Sequence, residues 1–150
     1  KALELNAPSA FVLSRQGLGA TPEAAFGSVK NGAYLLKESK NAQITLLASG
    51  SEVELCLKAS DLLAKEGVVA NVVSTPCFEL FESQDKNYKS RILTGKVLAV
   101  EAASAVEWYK YADDVLGMST FGESGKAEKL FEHFGFSPEN VAKKAKELLG

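Results

Sequence analysis

An arginine stands where an apolar run gives way to a glycine-bearing loop. The stretch is Leu13-Ser14-Arg15-Gln16-Gly17-Leu18, preceded by Ser9-Ala-Phe-Val-Leu13 and followed by Gly19-Ala-Thr-Pro22. The apolar run reads as a strand at 9–14. Strand ends of open α/β sheets are where ligands bind. Guanidinium stays charged at neutral pH, and its planar donor fork fits phosphate or carboxylate. Position alone leaves Arg15 open between an anion contact and a surface arginine.

Two glycine turns are the next candidates. Ser49-Gly50-Ser51 leads a strand into a helix, and Phe121-Gly122-Glu123-Ser124-Gly125 ends a strand before another helix. Free N–H groups at a helix start bind anions, yet neither turn has the spacing of a dinucleotide or P-loop motif. With Glu101 at the end of a third strand, Ser51, Glu101 and Gly122 mark a possible ligand crevice at the carboxyl edge of a sheet. Tight turns that serve packing or an interface are the preferred reading. The single histidine, His133, has no second histidine and no G-x-S-x-G elbow to work with, so a helix-surface role is favoured. Cys77 sits at a strand end with nothing nearby in sequence to lower its pKa. Cys56 and Cys77 fit neither CxxC nor metal spacing, which points to a reduced, cytoplasmic chain. No EF-hand or H-E-x-x-H spacing is present, so no metal site is expected.

Composition narrows the classes. The 150 residues are 46% hydrophobic and 24% charged, with a net charge of -2 and a pI near 5.5. A soluble globular domain fits these values, and neither nucleic acid nor an anionic membrane is an expected partner. No apolar run approaches the roughly 20 residues that span a bilayer. Residues 1–13 lack the apolar core of a signal peptide. The chain opens at Lys1 inside what reads as the last turn of a helix (1–6, stopped by Pro8), so a fragment of a longer protein is expected.

The positioning elements follow from periodicity. Residues 17–32 read as a linker, with one helical turn at 22–26 capped by Thr21. Strands at 33–37 and 44–48 are expected to pair as an antiparallel hairpin across 38–43. Val53, Cys56, Leu57, Ser60, Leu63 and Ala64 recur at helical spacing over 52–66, with Ser51 as N-cap and Gly67 as stop. The β-branched run 68–74 completes a βαβ unit with parallel strands. Short helices at 78–83 and 85–92, a strand at 96–101, a helix at 102–112 and a strand at 115–119 follow. Helices at 126–134 and from Pro138 onward, capped by Ser137, close the chain. The fold class is α/β: three layers, α/β/α, around a mixed, mostly parallel sheet of about five strands, the first antiparallel at an edge.

Several stretches, in order, resemble the C-terminal part of transketolase. They are Ala7-Pro-Ser-Ala-Phe-Val-Leu-Ser-Arg-Gln16, Gly32-Ala-Tyr-Leu-Leu36, Ala48-Ser-Gly-Ser-Glu-Val-Glu-Leu55, Asn71-Val-Val-Ser-Thr-Pro76, Val100-Glu-Ala102, Trp108-Tyr-Lys-Tyr111, and Phe121-Gly-Glu-Ser-Gly125 with Phe134-Gly-Phe136. The resemblance implies that 1–16 is the terminal helix turn and strand of a pyrimidine-binding domain, 17–32 a linker, and 33–150 the C-terminal domain. It implies a cytoplasmic, homodimeric enzyme of the pentose phosphate pathway. That enzyme uses thiamine diphosphate and Mg²⁺ to move a two-carbon ketol unit from a ketose phosphate to an aldose phosphate. Cofactor, metal and catalytic histidines would come from the preceding domains, with none bound by 1–150. The fragment alone would be inactive and serve structure and dimer contact. Arg15 matches the family arginine that contacts the sugar phosphate. The family motif usually continues Asn-Leu, where this chain has Gly17-Leu18, so the loop backbone is loosened here. A small-ligand-binding regulatory module, or the C-terminal domain of a deoxyxylulose-phosphate synthase or two-oxoacid dehydrogenase, are the alternatives.

Overall fold

Successive residues of the central strands point to opposite faces of one sheet, and both faces are dry. The computed structural model describes residues 1–150. Five strands, β1 (Tyr34–Lys37), β2 (Ile44–Ala48), β3 (Ala70–Ser74), β4 (Lys96–Ser104) and β5 (Asp114–Met118), lie in the order β1-β3-β2-β4-β5. Every residue of β2 and β3 is buried, as strands covered on both faces require. Leu46, Ala48, Val72, Leu98 and Val100 pack in one cluster with Val53, Cys56, Leu63, Val141 and Ala145. The alternate residues Leu47, Val73, Val97 and Ala99 pack in a second cluster with Phe81, Ile92 and Trp108. The first face is covered by α1 (Glu52–Lys65) and α5 (Pro138–Leu149), with Phe131 of α4 (Ala127–His133) against it. The second is covered by α2 (Phe78–Glu82) and α3 (Lys86–Ile92). This is the expected three-layer α/β/α fold.

The βαβ unit forms as expected: β2 and β3 are parallel, Ile44 beside Ala70 through Ala48 beside Ser74. Gly67 stops α1 at a φ of +82°, where a side chain would be strained. Ser137 caps α5, accepting the Asn140 N–H at 3.2 Å, with Pro138 at the first helical position.

Five local readings are corrected. The strand Tyr34–Lys37 makes no hairpin with Ile44–Ala48. It pairs antiparallel with β3, and β2 lies inside between β3 and β4. The connection crosses the start of β3, where Ser39 N–H donates to Asn71 Oδ1 at 2.8 Å and Ser39 Oγ to the Ala70 carbonyl at 3.2 Å. The helix expected at 102–112 is absent. β4 continues to Ser104 because β5 runs beside it, and only a 3₁₀ turn forms, Trp108–Lys110. That single turn buries Trp108 under the sheet, edge-on to Phe78 at 4.9 Å. No helical turn forms at 22–26, because Ala25 and Phe26 bond instead to Leu35, bridging the outer edge of β1. The helix turn at 1–6 is a 3₁₀ turn, Ala2–Glu4. The run at 9–14 makes no strand ladder, since no other strand lies beside it; Phe11, Val12 and Leu13 are 73%, 98% and 80% exposed.

Candidate functional site

Two places carry the residues singled out by chemistry. The first is the N-terminal arm. Arg15 is exposed, follows the exposed run Phe11–Leu13, and makes no ion pair. Its fork of donors is available to an incoming anion. Downstream, Leu18, Gly19, Ala20 and Thr21 face Gly50, Val53, Glu54 and Leu57 across a cleft of about 130 Å³. The arm therefore passes over the first turns of α1.

The second place is the carboxyl edge of the sheet. Ser49 follows β2 and Glu101 lies on the adjacent β4. Ser49 Oγ donates to Glu101 Oε2 at 2.7 Å. At the start of α1, Ser51 Oγ donates to Glu52 Oε1 at 2.9 Å. Ser51 was expected to cap α1, yet its hydroxyl makes no capping bond, because Glu52 turns inward and takes it. Glu52 is only 3% exposed. Burial raises its pKa, against the lowering effect of Ser51. Glu101 is pushed up to about 7, first by burial and further by the negative charge of Glu52, with the Ser49 hydroxyl opposing. Cys56, fully buried, is pushed up by burial and then by both carboxylates. No lysine or arginine pairs with either glutamate. Glu101, near 7, keeps its proton into the neutral range.

Gly122 does not join this edge. Residues 119–126 are all exposed, a Cβ at Gly122 would meet nothing within 4 Å, and no hydrogen bond ties the loop to Ser49 or Glu101. The loop's own contact is Glu123 with His133 at 3.8 Å, on the surface. His133 stacks edge-on against Phe134 at 4.8 Å, a helix-surface setting. Cys77 donates to Glu79 Oε2 at 3.3 Å. The sequence reading missed Glu52. An acidic residue in the first turn of a helix suits the positive end of its dipole, and no local signal separates that role from a buried one.

No three His, Cys, Asp or Glu side chains converge as metal ligands. An open groove of about 300 Å³ lies elsewhere, between Phe78, Tyr111, Val106, Glu107 and Lys110, beside the Phe78–Tyr111 stack at 4.6 Å. No helix is long and apolar enough to cross a membrane.

Residues 32–137 match the family model of the transketolase-like TK C-terminal domain. "Transketolase 2" of Vibrio parahaemolyticus is 44% identical over 153 residues, covering 96% of this chain and 23% of the relative. A crystal structure of transketolase from Campylobacter jejuni superposes with a TM-score of 0.94 at 57% identity, over 97% of this chain and 23% of that one. A Pichia stipitis transketolase, solved in complex with sedoheptulose-7-phosphate, superposes with a TM-score of 0.79 at 36% identity, over 85% of this chain and 20% of that one. The chain thus spans about a quarter of the length of the relatives it matches.

Proposed function

The chain belongs to the transketolase C-terminal domain family, and on that premise we propose that it works as the C-terminal part of a transketolase. The complete enzyme moves a two-carbon ketol unit from a ketose phosphate to an aldose phosphate. Residues 33–150 are its C-terminal domain. Residues 1–16 complete the sheet of the preceding pyrimidine-binding domain, which covers the apolar side chains of Phe11, Val12 and Leu13. Residues 17–32 link the two. Thiamine diphosphate and Mg²⁺ belong to the preceding domains. The complete enzyme is a cytoplasmic homodimer, to which this domain adds contact surface.

Within this chain the substrate contact is Arg15. The observation that carries this reading is an unpaired guanidinium on an exposed arm, in the setting Leu-Ser-Arg-Gln. A sugar phosphate presents oxygens that such a fork binds with charge-assisted hydrogen bonds. A ligated sulfhydryl, metal or second base is not needed for this role. In the complete enzyme, Arg15→Ala is expected to raise KM for phosphorylated sugars about tenfold to a hundredfold, the equivalent of roughly 1.5–3 kcal/mol. KM for an unphosphorylated ketose should stay within about twofold, since that substrate has no phosphate to lose. Steady-state kinetics on both substrate types test it; equal losses on both would overturn the assignment.

A further inference from the structure

Beyond Val100 the sheet narrows to an overhang. β2 ends beside Val100, and from Glu101 to Ser104 the only strand next to β4 is β5. Between the pairs Val100–Leu116 and Ser104–Met118, β4 uses four residues against two of β5, a bulge that re-aims the ribbon. Val106 and Phe121 stand two and three residues past the last pair and are 77% and 97% exposed. Ala103 and Ser104 are exposed as well. No charged residue occurs in 102–106 or in 115–122. A single exposed apolar side chain is ordinary. Two charge-free runs side by side on an overhang have the composition of a buried contact. The backbone N–H groups of Thr120–Glu123 donate to no backbone carbonyl of this domain.

The course of the chain identifies what lies on this shelf. The arm meets the domain at Leu18–Thr21, against Gly50. Ser49, the neighbour of Gly50, is bonded at 2.7 Å to Glu101, the first residue of the overhang. The exit of the arm and the root of the shelf are therefore adjacent, on one edge of the sheet. More than three quarters of the length of the Vibrio parahaemolyticus relative lies outside its match to this chain. We propose that the shelf of Ala103–Val106 and Phe121 is where this domain docks on the preceding pyrimidine-binding domain of its own chain. The proposal rests on the reading that such a domain ends at residue 16. Gln16 is at most about 7 Å of extended chain from Leu18, so a domain tied there stays close to this edge. Closing the shelf takes Val106 and Phe121 out of water, which holds the two domains in one orientation. The small side chains of Ala103 and Ser104 let the facing surface come close.

The test uses hydrogen exchange on the complete transketolase. In the parent, the amides of Thr120–Glu123 should exchange about a hundredfold slower than in an unstructured peptide of the same sequence, because only a docked neighbour protects them. Val106→Asp should remove that protection, and Phe121→Asp should speed exchange at Ala103–Val106 about tenfold or more. Phe121→Leu keeps the apolar contact and should stay within about twofold of the parent. Sedimentation should show the parent's oligomeric mass in all three variants. Unprotected Thr120–Glu123 amides in the parent would leave the shelf open to water and overturn the proposal. Protection that survives both aspartate variants would overturn it too. A fall of either aspartate variant to half the parent's mass would give the shelf to a second copy, which also overturns it. The Arg15→Ala kinetics are read separately. Phosphate-selective loss there with an open shelf removes the docking face and leaves the substrate contact standing; no selectivity with a protected shelf does the reverse.

Discussion

The arm around Arg15 and the carboxyl edge around Glu101 use charge in opposite ways. Arg15 keeps its hydration and has no ion-pair partner. Its charge costs the fold nothing and stays available for a ligand. Glu52 and Glu101 are sunk beside one another, each bonded to a serine of the β2–α1 turn. Each accepts one hydroxyl from within the chain, and Glu101, pushed up to about 7 by burial and then by the charge of Glu52, holds its proton into the neutral range. The difference teaches how to separate a contact for an outside partner from an internal arrangement. At the sheet edge the carboxyls are bonded to serines of their own turn, and on the arm the guanidinium has no ion-pair partner.

The contrast breaks if the two regions respond alike to substitution. The largest difference is expected in packing. Leu98 is fully buried between the central strands and α1, so Leu98→Ala should cost about 2–5 kcal/mol in urea unfolding. A value below about 1 kcal/mol would show that the sheet interior repacks freely. Next comes pH. The folded pKa of Glu101, about 7, lies above the ordinary carboxyl value near 4.3, so the folded chain binds the extra proton. Its contribution is therefore full below the unfolded value and is lost as pH rises through about 7. Glu52, also raised, acts in the same direction. Glu82 and Asp113 are lowered, Glu82 chiefly by its bond from Tyr111 and Asp113 chiefly by the Val97 N–H; both favour folding as pH rises from the acid side. Stability should thus decline between pH 5 and 7.5, and Glu101→Gln should flatten the decline by on the order of 1–2 kcal/mol, discounted for its partial solvent contact. An unchanged slope in the glutamine variant would remove Glu101 as the cause.

A finer version sharpens the same point. Ser49→Ala removes the one hydroxyl that favours the ionised form of Glu101. It should cost about 1 kcal/mol at pH 8.5 and less at pH 5, where the carboxyl is neutral. A loss independent of pH would mean that Ser49 matters for the turn and not for the charge. The smallest effect belongs to the arm. Leu13→Ala, at a side chain 80% exposed, should leave the unfolding midpoint of residues 1–150 within about 0.5 kcal/mol of the parent.

Much of the fold was legible because local chemistry and period agreed there. The β2–α1–β3 crossover announced itself through Val53, Cys56, Ser60 and Leu63 on one face, the stop at Gly67 and the β-branched run behind it. Ser137 and Pro138 marked α5 equally well. What was not legible depended on partners far along the chain. Two apolar runs joined by a short polar link fit a hairpin, and only β3, arriving after α1, shows that β1 belongs elsewhere. The 102–112 segment has helical residues, yet pairing with β5 draws Ala102–Ser104 into the sheet and burial of Trp108 sets the rest. At the candidate site, Arg15 was visible as a residue type at a strand-to-loop step, and its Leu-Ser-Arg-Gln setting gave that type a meaning. Glu52 was invisible as a buried acid, because only the return of β4 beside β2 brings Glu101 against it.

The placement of β1 has a consequence for the order of assembly. Its only ladder is with β3, and β3 cannot take up its place until the crossover from β2 has closed. The connection that carries the chain from β1 to β2 is itself pinned by Asn71 and Ala70 at the start of β3. The parallel pair β2–β3 closes over 26 residues of chain (Ile44 to Ala70) and can therefore form first, while β1 waits for β3 across 35–40 residues (Lys37 to Val72, Tyr34 to Ser74). In pulse-labelled hydrogen exchange during refolding, the amides of Leu46 and Val72 should gain protection before that of Leu35. The first strand in the domain's chain order then joins its sheet after the two that follow it.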